Sequence, residues 1–267
     1  MSESLCQTLS AITDDPVSFQ CMMRRTRAII SGSTALHHIL RQPTAWQPGD
    51  VDLLVPHHRF RDVTRFILAL PGAVIVNEYS QKYKTPATGF SHIVQVQTRL
   101  VKFDIIQSSE GSPFHPIAYY YGTHVMNAIT ADFVICSYPT LTLHGRSFLV
   151  PRRNQNMTDA IMRAVRKYKE RGFQFMEPDA VSVGDGQPCG STITCPHRNR
   201  AMGDHFCLIM PNTERPVWET WGLMDEHQST TWKLSGEACG NPVCYLEGQL
   251  TVGTTTWGEV GRITTAL

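Results

Sequence analysis

The strongest constraint in the sequence is a pair of aspartates, one residue apart, opening an apolar run: Asp50-Val51-Asp52-Leu53-Leu54-Val55. The run has the composition of a β-strand, and alternate strand residues point to one face. Asp50 and Asp52 are therefore expected to project together. Two like charges so placed repel each other unless something positive lies between them. A divalent cation is the usual solution, and Mg2+ takes carboxylate oxygens together with substrate phosphates. Upstream, Ala28-Ile29-Ile30 meets Ser31-Gly32-Ser33, and Thr34 to Leu40 follows with helical spacing. The order is strand, small-residue turn, helix. Backbone amides at such a helix start, with the Ser33 hydroxyl, suit a phosphate, and Gly32 allows close approach.

A third carboxylate, Asp104, stands in the apolar run Val101-Lys102-Phe103-Asp104-Ile105-Ile106. If its strand neighbours the first, the three acids form a two-metal clamp suited to in-line phosphoryl or nucleotidyl displacement. Lys102 shares the strand face of Asp104 and is the leading cationic partner for a triphosphate. Lys82, Lys84, Arg163, Arg166, Lys167 and Lys169 are further cations, although the last four also fit a solvated helix face. The pairs His37-His38 and His57-His58 are poor chelates, because adjacent helix residues face different directions. One of each pair is expected to be exposed and the other packed.

These motifs resemble the DNA polymerase beta-like nucleotidyltransferase superfamily. The stretch Ile30-Ser31-Gly32-Ser33-Thr34-Ala35-Leu36, followed by Asp50-Val51-Asp52-Leu53, is most similar to its toxin-type and small antibiotic-modifying branches. Thr123-His124-Val125-Met126-Asn127, Tyr138-Pro139-Thr140-Leu141-Thr142 and Lys167 to Phe173 resemble a set of fungal nucleotidyltransferase-like proteins. Together these cover roughly residues 25–175. The resemblance implies a mixed sheet backed by helices. It also implies transfer of a nucleoside monophosphate from a nucleoside triphosphate, with two Mg2+ ions. By position, Gly32 and Ser33 would hold the triphosphate, and Asp50 and Asp52 would bind metal. Asp104 would bind metal and help deprotonate the attacking hydroxyl. Sixteen residues separate Ser33 from Asp50, a few more than the family usually places there, and the proline-containing loop absorbs the excess.

The wider pattern predicts an α+β fold with a mixed sheet. Residues 1–18 read as a polar arm, 19–175 as the nucleotidyltransferase-like domain and 176–267 as a smaller β-rich region. Helices are expected over 60–70, 113–128 and 158–171, and strands over 73–79, 91–97 and 100–107. Gly172 marks the end of the last helix.

Five of the eight cysteines follow residue 188. Cys195, Cys207, Cys239 and Cys244 form the best candidate set for structural Zn2+, with Cys189 or His197 as substitutes. No Cys-x-x-Cys supports it, and free buried thiols are an equal reading. Cys6, Cys21 and Cys136 read as plain small apolar residues. Trp218, Trp221, Trp232 and Trp257 are expected to form the core of this region.

Lys plus Arg total 24 and Asp plus Glu 23, a formal net charge of +1. That balance gives little help against a long nucleic acid, and so favours a protein or small-molecule acceptor over a long nucleic acid. No apolar run is long enough to cross a membrane. The acidic, polar start is unlike a signal peptide, so the cytoplasm or nucleus is the expected compartment. The alternative class is an inactive protein of the same fold that binds nucleotide, RNA or a protein partner. A third reading, nucleotidyl transfer to a cationic antibiotic-like acceptor, needs an acidic pocket, for which Glu78, Glu110, Glu170 and Glu177 are candidates.

Overall fold

The computed structural model describes residues 1–41, 45–80, 89–150, 158–176, 195, 198–212, 229–234 and 251–255. Its centre is an eight-stranded mixed sheet in the order β11-β7-β6-β1-β2-β5-β4-β3. The strands are β1 (Ile29–Ser31), β2 (Asp50–Val55), β3 (Val74–Ser80), β4 (Phe90–Gln97), β5 (Lys102–Ser108), β6 (Asn127–Ile129), β7 (Phe133–Cys136) and β11 (Leu208–Pro211). Only the β2–β5 pair in it is parallel. Helices α1 (Glu3–Ser10), α2 (Pro16–Thr26), α3 (Gly32–Leu40), α4 (Phe60–Leu68), α5 (Pro139–Thr142) and α6 (Asp159–Glu170) complete the α+β fold.

Strand alternation splits the core between the two sheet faces. Val51, Leu53 and Val55 of β2, with Phe103 and Ile105 of β5, pack with residues of α1, α2 and α4. Phe19 of α2 stacks on Phe103 with ring centroids 6.0 Å apart. Leu54 and Ile106 belong to a second cluster on the other face, with Ile117, Met126, Tyr138 and Trp232. Asp50, Asp52, Lys102 and Asp104 share that second face, at the end of the strands where apolar cover gives way.

Two expectations are corrected. Residues 1–18 are not a polar arm: Ser2 caps α1 by accepting from the Leu5 amide, and Leu5 and Leu9 are 0% exposed. Leu5 and Leu9 dock this helix in the core together with Ile12, and Thr8 bonds His38 of α3. Residues 113–128 do not form one helix. Two short 3-10 turns (His115–Tyr119 and Thr123–Val125) precede β6. Pro116 lacks a donor, Gly122 is extended, and Asn127–Ile129 pairs with β1 and β7.

After residue 176, the described residues include one strand that joins the main sheet. β11 pairs with β7 along Leu208–Pro211 and extends the main sheet. β10 (Arg200–Ala201), β12 (Ser229–Lys233) and β13 (Thr251–Thr255) form a three-stranded sheet. Trp232 is buried against the second cluster as expected, and its Nε1 donates to Tyr138 Oη at 2.9 Å. Trp218, Trp221 and Trp257 lie outside the described residues. β8 (Arg146–Phe148) and β9 (Gln174–Met176), which flank α6 in the chain, pair as a small parallel ribbon.

Candidate active site

The parallel register sets Asp50 opposite Lys102 and Asp52 opposite Asp104. All four side chains therefore lie on one sheet face on adjacent strands, as alternation requires. β1 brings Ser31 opposite Asp52 from the other side. Immediately after it Gly32 takes φ +59, a left-handed conformation, and opens α3. A Cβ at this position would overlap the Asp52 carboxylate. No larger residue is compatible with this approach. Ser31 does not cap α3 with its side chain; its Oγ donates to the Asn127 carbonyl at 2.6 Å instead. The first amides of α3 thus lack a side-chain cap and carry the positive end of the helix dipole. Ser33 is 4% exposed, and its Oγ is buried without a hydrogen-bond partner.

The electrostatics are unbalanced. Lys102 Nζ lies 3.6 Å from Asp50 Oδ2 and 3.4 Å from Asp104 Oδ1. Burial pulls the Lys102 pKa down, but Asp104 and Asp50 outweigh it and the net shift is upward. Asp104 also accepts from Gln95 Nε2, at 3.0 Å to each oxygen. Asp52 is pushed up to about 7, first by desolvation and then by repulsion from Asp50 and Asp104, against the opposing charges of Lys167 and Lys102. Tyr120 lies close enough to Asp52 and Asp50 to feel both charges; burial and then the Asp52 charge raise its pKa well above the ordinary phenol value, against the Ser31 hydroxyl, which lowers it.

Helix α6 borders the site. Thr158 caps it by accepting from the Ile161 amide, and Gly172 ends it at φ +90. Arg163, Arg166 and Lys169 are exposed, as a solvated face requires. Lys167 is exposed too, but it acts on Asp52 and lies 5.4 Å from the Tyr168 ring centre. Arg171 sits 4.0 Å over Trp46 and 5.0 Å from Tyr168. Gln95, Tyr120 and Arg171 were not marked by the sequence pattern. Register brings Gln95 to Asp104, and the return of α6 to the sheet brings Lys167 within electrostatic reach of Asp52.

The remaining candidates sort as follows. Lys82, Lys84, Glu177, Cys189, His197, Cys239 and Cys244 lie outside the described residues. Glu78 pairs with His92 at 2.8 Å, and Glu110 and Glu170 are exposed on separate elements. Cys195 is buried. Cys207 lies in a network in which its Sγ is 3.5 Å from Asp204 Oδ1 and 3.7 Å from Arg200 Nη2, and burial pushes its thiol up to about 12. His38 is buried and accepts or donates to Thr8 Oγ1 at 2.7 Å, while His37 packs on Trp46. His57 and His58 are both exposed and His37 is half-buried, so neither histidine pair divides into one exposed and one packed residue.

Carboxylate oxygens and a buried hydroxyl are the donor set that Mg2+ prefers, and the upward shift of Asp52 shows that this set lacks positive charge. Among the described residues, however, no three acid, histidine or cysteine side chains are gathered closely enough to hold an ion as they stand. Lys102 occupies the place between two of them. Chemically the residues fit the ion, with Lys102 standing between Asp50 and Asp104.

No protein-family model matches the chain, and no curated protein matches it. Among solved structures it is similar to a tRNA-processing enzyme in an apo form, 14% identical, over 71% of this chain and 50% of that one, with a TM-score of 0.41. The chain thus spans half the length of that structure. Among the described residues no helix is long and apolar enough to cross a membrane.

Proposed function

We propose that this chain is a Mg2+-dependent nucleotidyltransferase of the polymerase beta-like type, moving a nucleoside monophosphate from a nucleoside triphosphate to a hydroxyl on a protein, RNA end or small molecule. The observation that carries this reading is the pairing of Asp52 with Asp104 on the parallel strands, with the Gly32 backbone pressed against Asp52.

Asp50, Asp52 and Asp104 would hold the metal, which supplies charge neutralisation at the transferring phosphorus and its leaving group. The free amides at the start of α3 and the Ser33 hydroxyl receive phosphate oxygens. Lys167 and Lys102 contribute further positive charge to the triphosphate. Asp104, steered by Gln95, takes the proton of the attacking hydroxyl. The new bond joins that oxygen to the α-phosphorus, the bond to the β-phosphate bridge breaks, and pyrophosphate leaves.

The experiment is incubation with ATP, GTP, CTP and UTP labelled at the α-phosphate, with Mg2+, for wild type, Asp50→Asn and Asp52→Asn. Label transfer to the protein, RNA or small acceptors by the wild type alone supports the reading. The alternative, an inactive nucleotide-binding protein of the same fold, is favoured by the Lys102 bridge, which neutralises two of the acids without metal. Nucleotide binding without transfer would select it.

A further inference from the structure

We propose that the Lys102 ammonium is the resident cation of the acid cluster, holding the place between Asp50 and Asp104 that a divalent ion takes by displacing it. The inference rests on the metal-site reading above and adds an exchange step to it. The ammonium bridges the two acids at 3.6 and 3.4 Å. Both distances exceed the roughly 2.7–2.9 Å of a tight charge-assisted hydrogen bond. The Lys102 side chain is 32% exposed, so water lies open to it. The lysine stem is flexible, and its head group can move several ångströms while the strand holds its register.

The counter-ion is also too weak for the job. Two ammonium groups, Lys102 between Asp50 and Asp104 and the exposed Lys167 acting on Asp52, face three carboxylates on two neighbouring strands. Among the described residues no ion pair reaches the Asp52 carboxylate, and only burial and neighbouring charges set its pKa. Ser33 Oγ, on a residue 4% exposed, is an independent sign that a ligand belongs here, since a buried hydroxyl without a partner is costly. A divalent ion satisfies the excess negative charge better than the Lys102 ammonium does. Once displaced, the Lys102 head group is free for the anionic triphosphate. Lys102 therefore opposes metal binding before nucleotide arrives and assists nucleotide binding afterwards.

The test titrates Mn2+ into the full-length chain, with free ion counted by electron paramagnetic resonance. Mg2+-induced shifts in thermal midpoint provide a second readout. Wild type, Lys102→Met, Lys102→Gln, Lys102→Arg and Asp52→Asn are compared. Removing the competing charge is expected to tighten Mn2+ binding by about tenfold or more in the Met and Gln variants. The same two variants are expected to show a larger Mg2+ shift, while Lys102→Arg stays near wild type. Equal or weaker binding by both neutral variants overturns the exchange proposal and leaves the metal site standing. No binding by any variant, or undiminished binding by Asp52→Asn, overturns the metal site itself.

Discussion

Gly32 lies against Asp52 so closely that a side chain of any size at position 32 would overlap the carboxylate. Backbone conformation and site geometry demand the same residue there, since φ is +59. Gly32→Ala is expected to destabilise the protein by about 2–4 kcal/mol, combining left-handed strain with displacement of Asp52. Urea unfolding measures the loss, and Mn2+ binding by the surviving folded fraction is expected to weaken with it. A Gly32→Ala protein with wild-type stability would show that the approach is not rigid.

Acid sensitivity should come from the buried histidines. His38 is pulled down to about 4, first by burial and then by the charges of Arg41 and His37. In the unfolded chain it titrates near 6.5. Between these values the unfolded state binds the proton and the folded state does not, so stability is intact at neutral pH and is lost as pH falls from about 6.5 towards 4. His38→Leu is expected to flatten that fall by about 1–3 kcal/mol. It also removes the link from α3 to Thr8 of α1, at a pH-independent cost. Unfolding curves at pH 7.5, 6 and 5 separate the two effects.

Arg200 and Asp204 anchor the late segment to the main sheet. Arg200 is 2% exposed, makes two bonds to Asp204 at 2.7 and 3.0 Å, and donates to the Ser137 carbonyl at 2.6 Å. Removing one partner of a buried pair leaves an uncompensated charge. Asp204→Ala should therefore cost about 3–5 kcal/mol. The double variant Arg200→Met, Asp204→Leu should be milder than Asp204→Ala alone, and chemical denaturation decides this.

Gln95 is predicted to steer Asp104 through its bonds to both carboxylate oxygens. Gln95→Leu should lower turnover by about 10–100-fold with little change in KM for nucleotide, and shift the pH–rate profile. Gln95→Asn, which retains a shorter amide, should recover part of the rate. An unchanged profile would make Gln95 a structural residue only.

Period-two alternation is why much of the site was legible. It put Asp50 with Asp52 and Lys102 with Asp104, and the Ser31-Gly32-Ser33 turn marked the start of α3. What alternation cannot give is strand neighbourhood. That the Asp104 strand neighbours the Asp50–Asp52 strand is only a condition in the sequence; the parallel β2–β5 pair supplies it. Gln95 reaches Asp104 only because β4 lies beside β5, and Lys167 reaches Asp52 only because α6 folds back from far along the chain. α1 was missed because Leu5 and Leu9 are too few to show a pattern, and its docking comes from tertiary contact. The helix expected over 113–128 failed where Pro116 and Gly122 outweighed an apolar, locally helix-like composition. β11 was invisible as a main-sheet strand because its partner, β7, ends over 70 residues earlier (Cys136 to Leu208).

The most direct test of the central claim is a crystal structure with a non-hydrolysable nucleoside triphosphate and Mn2+, using anomalous scattering to place the metal. The account predicts metal density ligated by Asp50, Asp52 and Asp104, triphosphate oxygens at the Gly32-Ser33 turn, and the Lys102 ammonium moved off the acids. Metal and nucleotide bound elsewhere, with Lys102 still bridging Asp50 and Asp104, would contradict it.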